Sequence, residues 1–260
     1  MPRFSINVSM MLTEVAFLDR FAAAADLGFG GVDIQFPYEH PAASVGTRAR
    51  AAGVAVVLIN VPAGDLQSGG NGLACVPGRE AAFRDAVQQA RAYCRELECK
   101  RVNVLAGRPP AELTRGECLR TFTGNLAYAA ETLQPDGITV MVETINGRDV
   151  PGFLLQTTED TVAALDAAGA GNLGVQFDLY HRQIMEGDLI PGLERYLPRI
   201  AHIQFADTPG RHEPGTGEIN FPNVFAAIDR LGYQGWVGAE YRPLTNTADS
   251  LGWFQPWRRA

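Results

Sequence analysis

Short apolar runs alternate with longer amphipathic stretches along almost the whole chain. The runs are rich in Val and Ile, which is typical of buried parallel β-strands. They predict eight strands, at residues 4–8, 31–36, 54–61, 101–105, 138–143, 173–178, 200–205 and 235–240. The stretches between them have apolar residues at helical spacing and predict helices at 13–27, 41–52, 79–97, 115–133, 157–168, 180–186, 190–196 and 221–231.

Residues that favour helix ends flank several of these predicted helices. Thr13 and Asn220 are suited to the N-cap position, and Gly28, Gly53 and Gly232 follow predicted C-termini. Eight strand–helix units favour a closed (β/α)8 barrel, or TIM barrel, of the α/β class, for which about 250 residues is the usual size. Because no Pro-, Gly- or Ser-rich linker divides the chain, residues 1–260 are predicted to form a single domain.

Two connections are long for a compact barrel, at residues 62–78 and 207–220. Both follow strands, so both are predicted to lie on the C-terminal face of the barrel, where active sites of this architecture are found. The first loop contains the sequence GGNG and could be a mobile lid or a plain flexible connection.

Composition and charge narrow the function classes. The net charge is −7 and the basic residues are scattered, which argues against a nucleic-acid-binding face but not against a small anionic substrate. No apolar stretch is long enough to span a membrane, and the N-terminus lacks the apolar run of a signal peptide. With four cysteines and no CxxC pair, we expect a reduced, cytoplasmic protein.

Oxygen-bearing side chains lie at or near the ends of four consecutive predicted strands. Glu143, Asp178 and Glu240 end strands five, six and eight, and Gln204 lies in strand seven. Side chains alternate between the two faces of a strand, so these four oppose the apolar face that packs on the helices. We therefore expect them to converge inside the mouth of the barrel.

Three crowded carboxylates repel one another, and a bound cation would relieve that repulsion. Carboxylate and amide oxygens are hard ligands that suit Mg²⁺ or Mn²⁺ better than Zn²⁺. Any one of these acids could instead cap a helix or pair with an arginine, but the shared position of all four favours a divalent metal site.

Several motifs in the chain resemble those of the hydroxypyruvate isomerase family, within the xylose-isomerase-like barrels. The resemblance runs nearly end to end. It is carried by residues 36–38 (FPY), 60–65 (NVPAGD), 72–75 (GLAC), 150–153 (VPGF), 178–181 (DLYH), 185–187 (MEG), 213–220 (EPGTGEIN), 235–238 (GWVG) and 240–241 (EY).

The resemblance implies a metal site at Glu143, Asp178, Gln204 and Glu240, and a catalytic role for the two glutamates. They would move a proton between adjacent carbons as hydroxypyruvate and tartronate semialdehyde interconvert through an enediolate, with metal assistance. Many wider relatives have His in place of Gln204, so Gln favours the isomerase branch.

Two positions depart from the family pattern. Thr144 stands where Pro is frequent, and Arg242 stands where Lys is frequent. Neither removes a predicted ligand, although both could adjust substrate preference.

Three further residues have chemistry suited to the site. His181, three residues after Asp178, is predicted to hydrogen-bond a substrate oxygen, and Arg211, in the loop after strand seven, to meet a substrate carboxylate. A capping histidine and a solvated loop charge are the alternatives. His202 has the same parity as Gln204 but lies deeper, and is predicted to be a core histidine.

Other functions remain open from the sequence alone. A 2-oxo-tetronate isomerase or a ketose 3-epimerase would use the same chemistry on another substrate. A remoter alternative is an abasic-site endonuclease, which the charge and the four histidines disfavour. A third is a barrel that binds a sugar or a partner without catalysis. Homo-oligomerisation is possible and is not decided by the sequence.

Overall fold

The computed structural model describes residues 2–258. Its eight strands are all parallel and close into one barrel in sequence order, with β8 paired to β1. The strands are β1 Arg3–Asn7, β2 Gly31–Ile34, β3 Ala55–Asn60, β4 Arg101–Asn103, β5 Thr139–Glu143, β6 Leu173–Asp178, β7 Ile200–Phe205 and β8 Trp236–Ala239. The predicted (β/α)8 barrel is confirmed.

Helices connect the strands around the outside of the barrel. They are α1 Arg20–Asp26, α2 Ala42–Ala52, α3 Glu80–Leu97, α4 Arg115–Leu133, α5 Thr158–Ala168, α6 Leu179–Met185, α7 Leu189–Tyr196 and α8 Phe221–Arg230. The Asn220 side chain caps α8 by accepting a hydrogen bond from the backbone N–H of Asn223. Gly53 ends α2 in a left-handed conformation, as predicted. No helix in the described part of the chain is long and apolar enough to cross a membrane.

The prediction for the first helix is wrong at its start. Helix α1 begins at Arg20 after a short 3-10 segment, and Thr13 caps nothing. The preceding segment is bound to the far end of the chain: the Leu12 N–H donates to Thr247 Oγ1 at 2.7 Å, and the Thr247 N–H donates to the Glu14 carboxylate at 2.6 Å. These tertiary contacts override the local helical pattern, since they hold Leu12 at a φ of 58°.

The core has an apolar outer layer and a polar interior. Aromatic side chains pack between the strands and the helices, among them Phe205, Phe221 and Phe225. Inside the barrel, Asp33 of β2 and His202 of β7 are fully buried and meet across the interior, with 2.9 Å between Oδ2 and Nε2. The strands therefore turn their polar side chains inward, as the alternation predicted, and His202 is a core histidine.

A glycine makes room for this buried pair. A Cβ at Gly238 of β8 would overlap Asp33 Oδ2 and lie 3.0 Å from His202 Nε2. Gly238→Ala is therefore expected to destabilise the fold by about 1–3 kcal/mol, measured by chemical unfolding. Gly124→Ala is the matched control, because nothing lies within 4 Å of that Cβ in α4; it should stabilise by about 0.5–1 kcal/mol. Equal stabilities for the two variants would contradict this account.

Candidate active site

The four predicted oxygen ligands lie together at the C-terminal mouth of the barrel. Glu143 and Asp178 are the last residues of β5 and β6, Gln204 is the penultimate residue of β7, and Glu240 directly follows β8. Each side chain is at most 5% exposed. The two glutamates line a cavity of about 290 Å³ at this mouth.

Asp178 uses its two carboxylate oxygens differently. Oδ1 caps α6 by accepting hydrogen bonds from the backbone N–H groups of Tyr180 at 2.7 Å and His181 at 3.2 Å. Oδ2 is buried and has no hydrogen-bond partner within residues 2–258. A buried carboxylate oxygen without a partner is costly, so this atom is well suited to hold a cation.

Glu143, Asp178 and His181 form a compact cluster. One potential ligand atom from each lies within 4.8 Å of the others. His181 Nε2 is 3.9 Å from Glu143 Oε1 and 3.8 Å from Asp178 Oδ2. Whether this histidine serves as ligand or as donor depends on which ring nitrogen carries the proton.

The neighbours of His181 fix its tautomer. Asn146 Oδ1 accepts a hydrogen bond from the Asp149 N–H, so the Asn146 amide directs Nδ2 toward His181 Nδ1, 2.7 Å away. The Asn146 backbone N–H also points at Nδ1, at 3.2 Å. Nδ1 is therefore the acceptor, and the proton of the neutral ring is on Nε2, facing the cluster. Burial lowers the pKa of His181 to about 4, so the ring is neutral near pH 7 and offers an N–H donor there.

Glu240 accepts hydrogen bonds from several distant parts of the chain. Its Oε1 accepts hydrogen bonds from Asn7 Nδ2 at 2.6 Å and Gln35 Nε2 at 3.1 Å, and its Oε2 from Arg211 Nη2 at 2.6 Å. Burial nevertheless raises the pKa of this carboxyl to about 7; the charge of Asp178 also raises it, and Arg211 opposes the shift.

Glu143 accepts fewer hydrogen bonds than Glu240. Asn103 Nδ2 donates to its Oε2 at 3.0 Å. Burial raises the pKa of Glu143 well above its usual value, and the charges of Glu240 and Asp178 raise it further. The two glutamates therefore lie in unequal environments, and the pKa of each is raised.

Gln204 reaches the site with its amide already paired. Gln176 Nε2 donates to Gln204 Oε1, and Gln204 Nε2 lies 3.3 Å from Glu240 Oε1. Gln176 Oε1 is buried and has no partner in the described chain. Rotating both amides by half a turn would keep a hydrogen bond between them and direct the Gln204 oxygen toward Glu240, as a ligand role requires.

Arg211 lies among the acids of the site. Besides its bond to Glu240, Nη2 is 3.8 Å from Asp178 Oδ2, and Nη1 is 3.8 Å from Asp149 Oδ2. Its loop is held by Asp207, whose carboxylate accepts from four backbone N–H groups, at residues 208, 215, 217 and 219. The arginine predicted for a substrate carboxylate thus already neutralises part of the charge of the acidic cluster.

Several of these partners were not predicted as site residues from the sequence. Asn7, Asn60 and Asn103 are the last residues of β1, β3 and β4, and Asn7 and Asn103 hydrogen-bond the two glutamates. The signal that identified Glu143 and Asp178, a polar residue ending a buried strand, would also have found them. Gln35 and Asn146 lie just after strands and show no such pattern.

The residues present fit a divalent cation. Glu143, Asp178 and His181 form a buried cluster that could hold a metal ion, and Asp178 Oδ2 has no hydrogen-bond partner within residues 2–258. Glu240, which shares Arg211 Nη2 with Asp178, and Gln204 remain predicted oxygen ligands. The raised pKa values of the two glutamates show how costly their joint ionisation is without a positive charge beside them. A bound metal would remove that cost.

The sequence profile of the family described as xylose isomerase-like TIM barrel matches residues 21–257. The chain belongs to this family. The resemblance on which the sequence analysis relied is confirmed by relatives within the family. A Cupriavidus necator protein named 2-oxo-tetronate isomerase is 48% identical over 99% of both chains. An Escherichia coli protein named hydroxypyruvate isomerase is 43% identical over 99% of this chain and 100% of its own.

Solved structures of this xylose isomerase-like family agree with the fold. A Brucella melitensis crystal structure, described as an AP endonuclease of family 2, superposes with a TM-score of 0.96 at 42% identity and full coverage of both chains. A structure of an L-ribulose 3-epimerase superposes with a TM-score of 0.77 at 23% identity, covering 100% of this chain and 88% of its own. At that identity the second comparison supports the fold alone.

Proposed function

We propose that this protein is a hydroxypyruvate isomerase, an enzyme of the aldose–ketose type that interconverts hydroxypyruvate and tartronate semialdehyde. The observation that carries the proposal is the pair of buried glutamates, Glu143 and Glu240, on one cavity and in unequal environments. Proton transfer between adjacent carbons needs one carboxylate as base and one carboxylic acid as donor. The relative named hydroxypyruvate isomerase supports the same reaction.

The reaction moves one carbon-bound proton and one hydroxyl proton. One glutamate removes a proton from the hydroxymethyl carbon of hydroxypyruvate, leaving an enediolate, and the other glutamate delivers a proton to the neighbouring carbon. The hydroxyl hydrogen passes from the first oxygen to the second, so the product is an isomer of the substrate. A divalent cation, when bound, polarises the two oxygens and stabilises the negative charge of the enediolate.

His181 is assigned the role of hydrogen-bond donor to a substrate oxygen. Its Nε2–H faces the acidic cluster because Asn146 occupies Nδ1 with two donors. Arg211 was predicted to meet a substrate carboxylate. It is assigned here instead to the reacting oxygens, because its guanidinium already contacts Glu240.

Asn146→Asp tests the fixed tautomer of His181. The new carboxylate would accept a hydrogen bond from Nδ1–H, whereas the Asn146 amide donates one to Nδ1, so the other tautomer or the charged ring is favoured. We expect kcat to fall about 10- to 100-fold, with a changed ring-nitrogen pattern in the NMR spectrum of ¹⁵N-histidine-labelled protein. Asn172→Asp, at an amide outside the cavity, is the control. An unchanged spectrum for Asn146→Asp would overturn the assignment.

A 2-oxo-tetronate isomerase is the second candidate, because the relative at 48% identity is named for that activity. Both reactions use the same acids, so the structure of the acidic cluster does not separate them. Product analysis by NMR after incubation with hydroxypyruvate, 2-oxo-tetronate and ketoses would do so. Higher kcat/KM for the four-carbon acid would replace the first proposal with the second, and 3-epimer formation would point to a ketose epimerase.

The endonuclease alternative can be tested on the same preparation. The related Brucella melitensis structure is described by that activity, whereas the net charge of −7 and the acids at the cavity disfavour a DNA backbone. We expect no cleavage of abasic duplex DNA with added Mg²⁺ or Mn²⁺, at enzyme concentrations that isomerise hydroxypyruvate. The choice of Mg²⁺ or Mn²⁺, a homo-oligomeric state and a cytoplasmic location remain predictions.

A further inference from the structure

An anionic substrate must enter a cavity whose charged groups are mostly acidic. Glu143, Asp149 and Glu240 line it, and the positive side chains that line it are Arg108 and Arg211. A carboxylate brought near these acids is repelled unless a cationic group receives it. Which arginine is free to do so follows from the contacts of each.

Arg211 is already committed to the acids. Its guanidinium lies within 4.0 Å of three carboxylates: 2.6 Å from Glu240 and 3.8 Å from both Asp178 and Asp149. Its positive charge is therefore largely balanced before a substrate arrives. A substrate carboxylate at Arg211 would compete with these three groups.

Arg108, in contrast, has no acidic partner. In the described part of the chain, no Asp or Glu oxygen lies within 4.0 Å of its guanidinium. Nη1 donates to the backbone carbonyl of Gly69 at 2.9 Å and more weakly to that of Gly70 at 3.4 Å. Nε is buried and without a partner among residues 2–258. The side chain that lines the cavity thus carries a positive charge, and neither Nε nor Nη2 hydrogen-bonds a group within residues 2–258.

The position of Arg108 is also fixed. Its backbone N–H donates to Asn71 O at 2.9 Å, and its carbonyl accepts from Asn71 Nδ2 at 3.0 Å. The preceding Gly107 has a φ of 91°, and a Cβ there would collide with Asn71 O. Arg108 is therefore held against the 62–78 loop by its backbone and by Nη1, while the Nη2 end of the guanidinium makes no hydrogen bond within residues 2–258.

We propose that Arg108 binds the carboxylate of the substrate and thereby selects sugar acids over neutral sugars of the same length. The proposal rests on the isomerase function proposed above and adds the residue that selects acids as its substrate class. An arginine with a free N–H edge suits a carboxylate, because its planar donors match the two oxygens. The reacting carbons and oxygens of the substrate would then lie at the acidic cluster of Glu143, Asp178 and Glu240.

A purely structural role for Arg108 makes a different prediction. If the side chain only tied down the 62–78 loop, its loss would weaken binding of every substrate alike. Hydroxypyruvate and dihydroxyacetone differ only in a carboxylate against a hydroxymethyl group, so the pair separates the two roles. Dihydroxyacetone is used as a substrate or, where its turnover is too slow, as a competitive inhibitor.

The experiment compares Arg108→Met with the wild-type, metal-loaded enzyme. We expect kcat/KM for hydroxypyruvate to fall about 100-fold, mostly through KM, while the constant for dihydroxyacetone is unchanged. Arg108→Lys should recover part of the loss, because it restores the charge without the planar fork. Equal losses for the acid and the neutral sugar, or no loss for the acid, would overturn the proposal.

Arg79→Met is the matched control. Arg79 also clamps the 62–78 loop, through Asp65 and the Gly72 carbonyl, but does not line the cavity. It should not change the preference for the acid. Calorimetric titration of glycerate, a three-carbon acid that has no carbonyl to enolise, into wild type and Arg108→Met tests binding without turnover. A wild type that binds glycerate without isomerising hydroxypyruvate would refute the proposed function, and weaker binding by Arg108→Met would still support the role of Arg108.

Discussion

Glu143→Gln is expected to lower kcat for hydroxypyruvate about 1,000-fold, because the amide can neither accept nor deliver the transferred proton. Glu240→Gln should have an effect of similar size. The measurement is a steady-state rate on protein whose metal content has been determined, since both residues are also predicted ligands. Glu131→Gln, on the exposed surface of α4, is the control and should retain full activity.

Exchange of substrate protons with deuterated water would separate the two glutamates. The variant that keeps the base can still remove the carbon-bound proton and return deuterium to the same carbon, so it should exchange without forming product. The variant that lacks the base should do neither. If either single variant isomerises hydroxypyruvate near the wild-type rate, the catalytic pair is wrongly assigned.

Removing the divalent ion with a chelator is expected to abolish isomerase activity, and readdition of Mg²⁺ or Mn²⁺ to restore it. The loss should be accompanied by a lower Tm, because metal binding stabilises the folded state that contains the site. The difference in Tm between metal-loaded and metal-free protein should increase with pH, because the two glutamates ionise as the pH rises.

The pH dependence of this difference in Tm follows from the direction of the two pKa shifts. The pKa of Glu240 is raised from 4.5 to about 7, and that of Glu143 is raised as well, so the folded chain binds these protons more tightly than the unfolded chain. Ionising Glu240 between about pH 4.5 and 7, and Glu143 above its usual range, therefore costs the metal-free fold stability. Metal binding offsets that cost, so its stabilisation is larger at pH 8 than at pH 5.5.

Thermal unfolding with and without Mn²⁺ at the two pH values provides the measurement. The double variant Glu143→Gln/Glu240→Gln is the control, because its amides stay neutral throughout and the pH dependence of the difference should shrink. A metal-induced rise in Tm that is equal at pH 5.5 and pH 8 would contradict the account.

The part of the site that the sequence predicted depends on periodicity. Glu143, Asp178 and Glu240 end strands, and the alternation of side chains decides which face they take, so their convergence follows once the barrel is assumed. The strands themselves are identified by local apolar runs. A barrel of this kind is built from repeated local units, which explains why the architecture was accessible from one sequence.

The features of the site and fold that were not predicted depend on contacts between residues distant in the sequence. Asn7 hydrogen-bonds Glu240 across 233 residues of chain, and the first helix starts late because Leu12 and Glu14 bind Thr247. No local pattern encodes such pairs. The unequal environments of the two glutamates likewise arise from donors on different elements, so their pKa values could not be inferred from the sequence.

The acid–imidazole contact between Asp33 and His202, made possible by Gly238, has a consequence for how the molecule tolerates change. The centre of the barrel holds ionisable groups in a volume that methyl groups would otherwise fill, so it adds little hydrophobic stabilisation. Cohesion must come from the outer layer, where Phe205 and its aromatic neighbours pack. The effect of a random substitution should therefore depend on its distance from the barrel axis. Substitutions in the outer layer should reduce the yield of folded protein, and substitutions at the mouth should leave the protein folded but inactive.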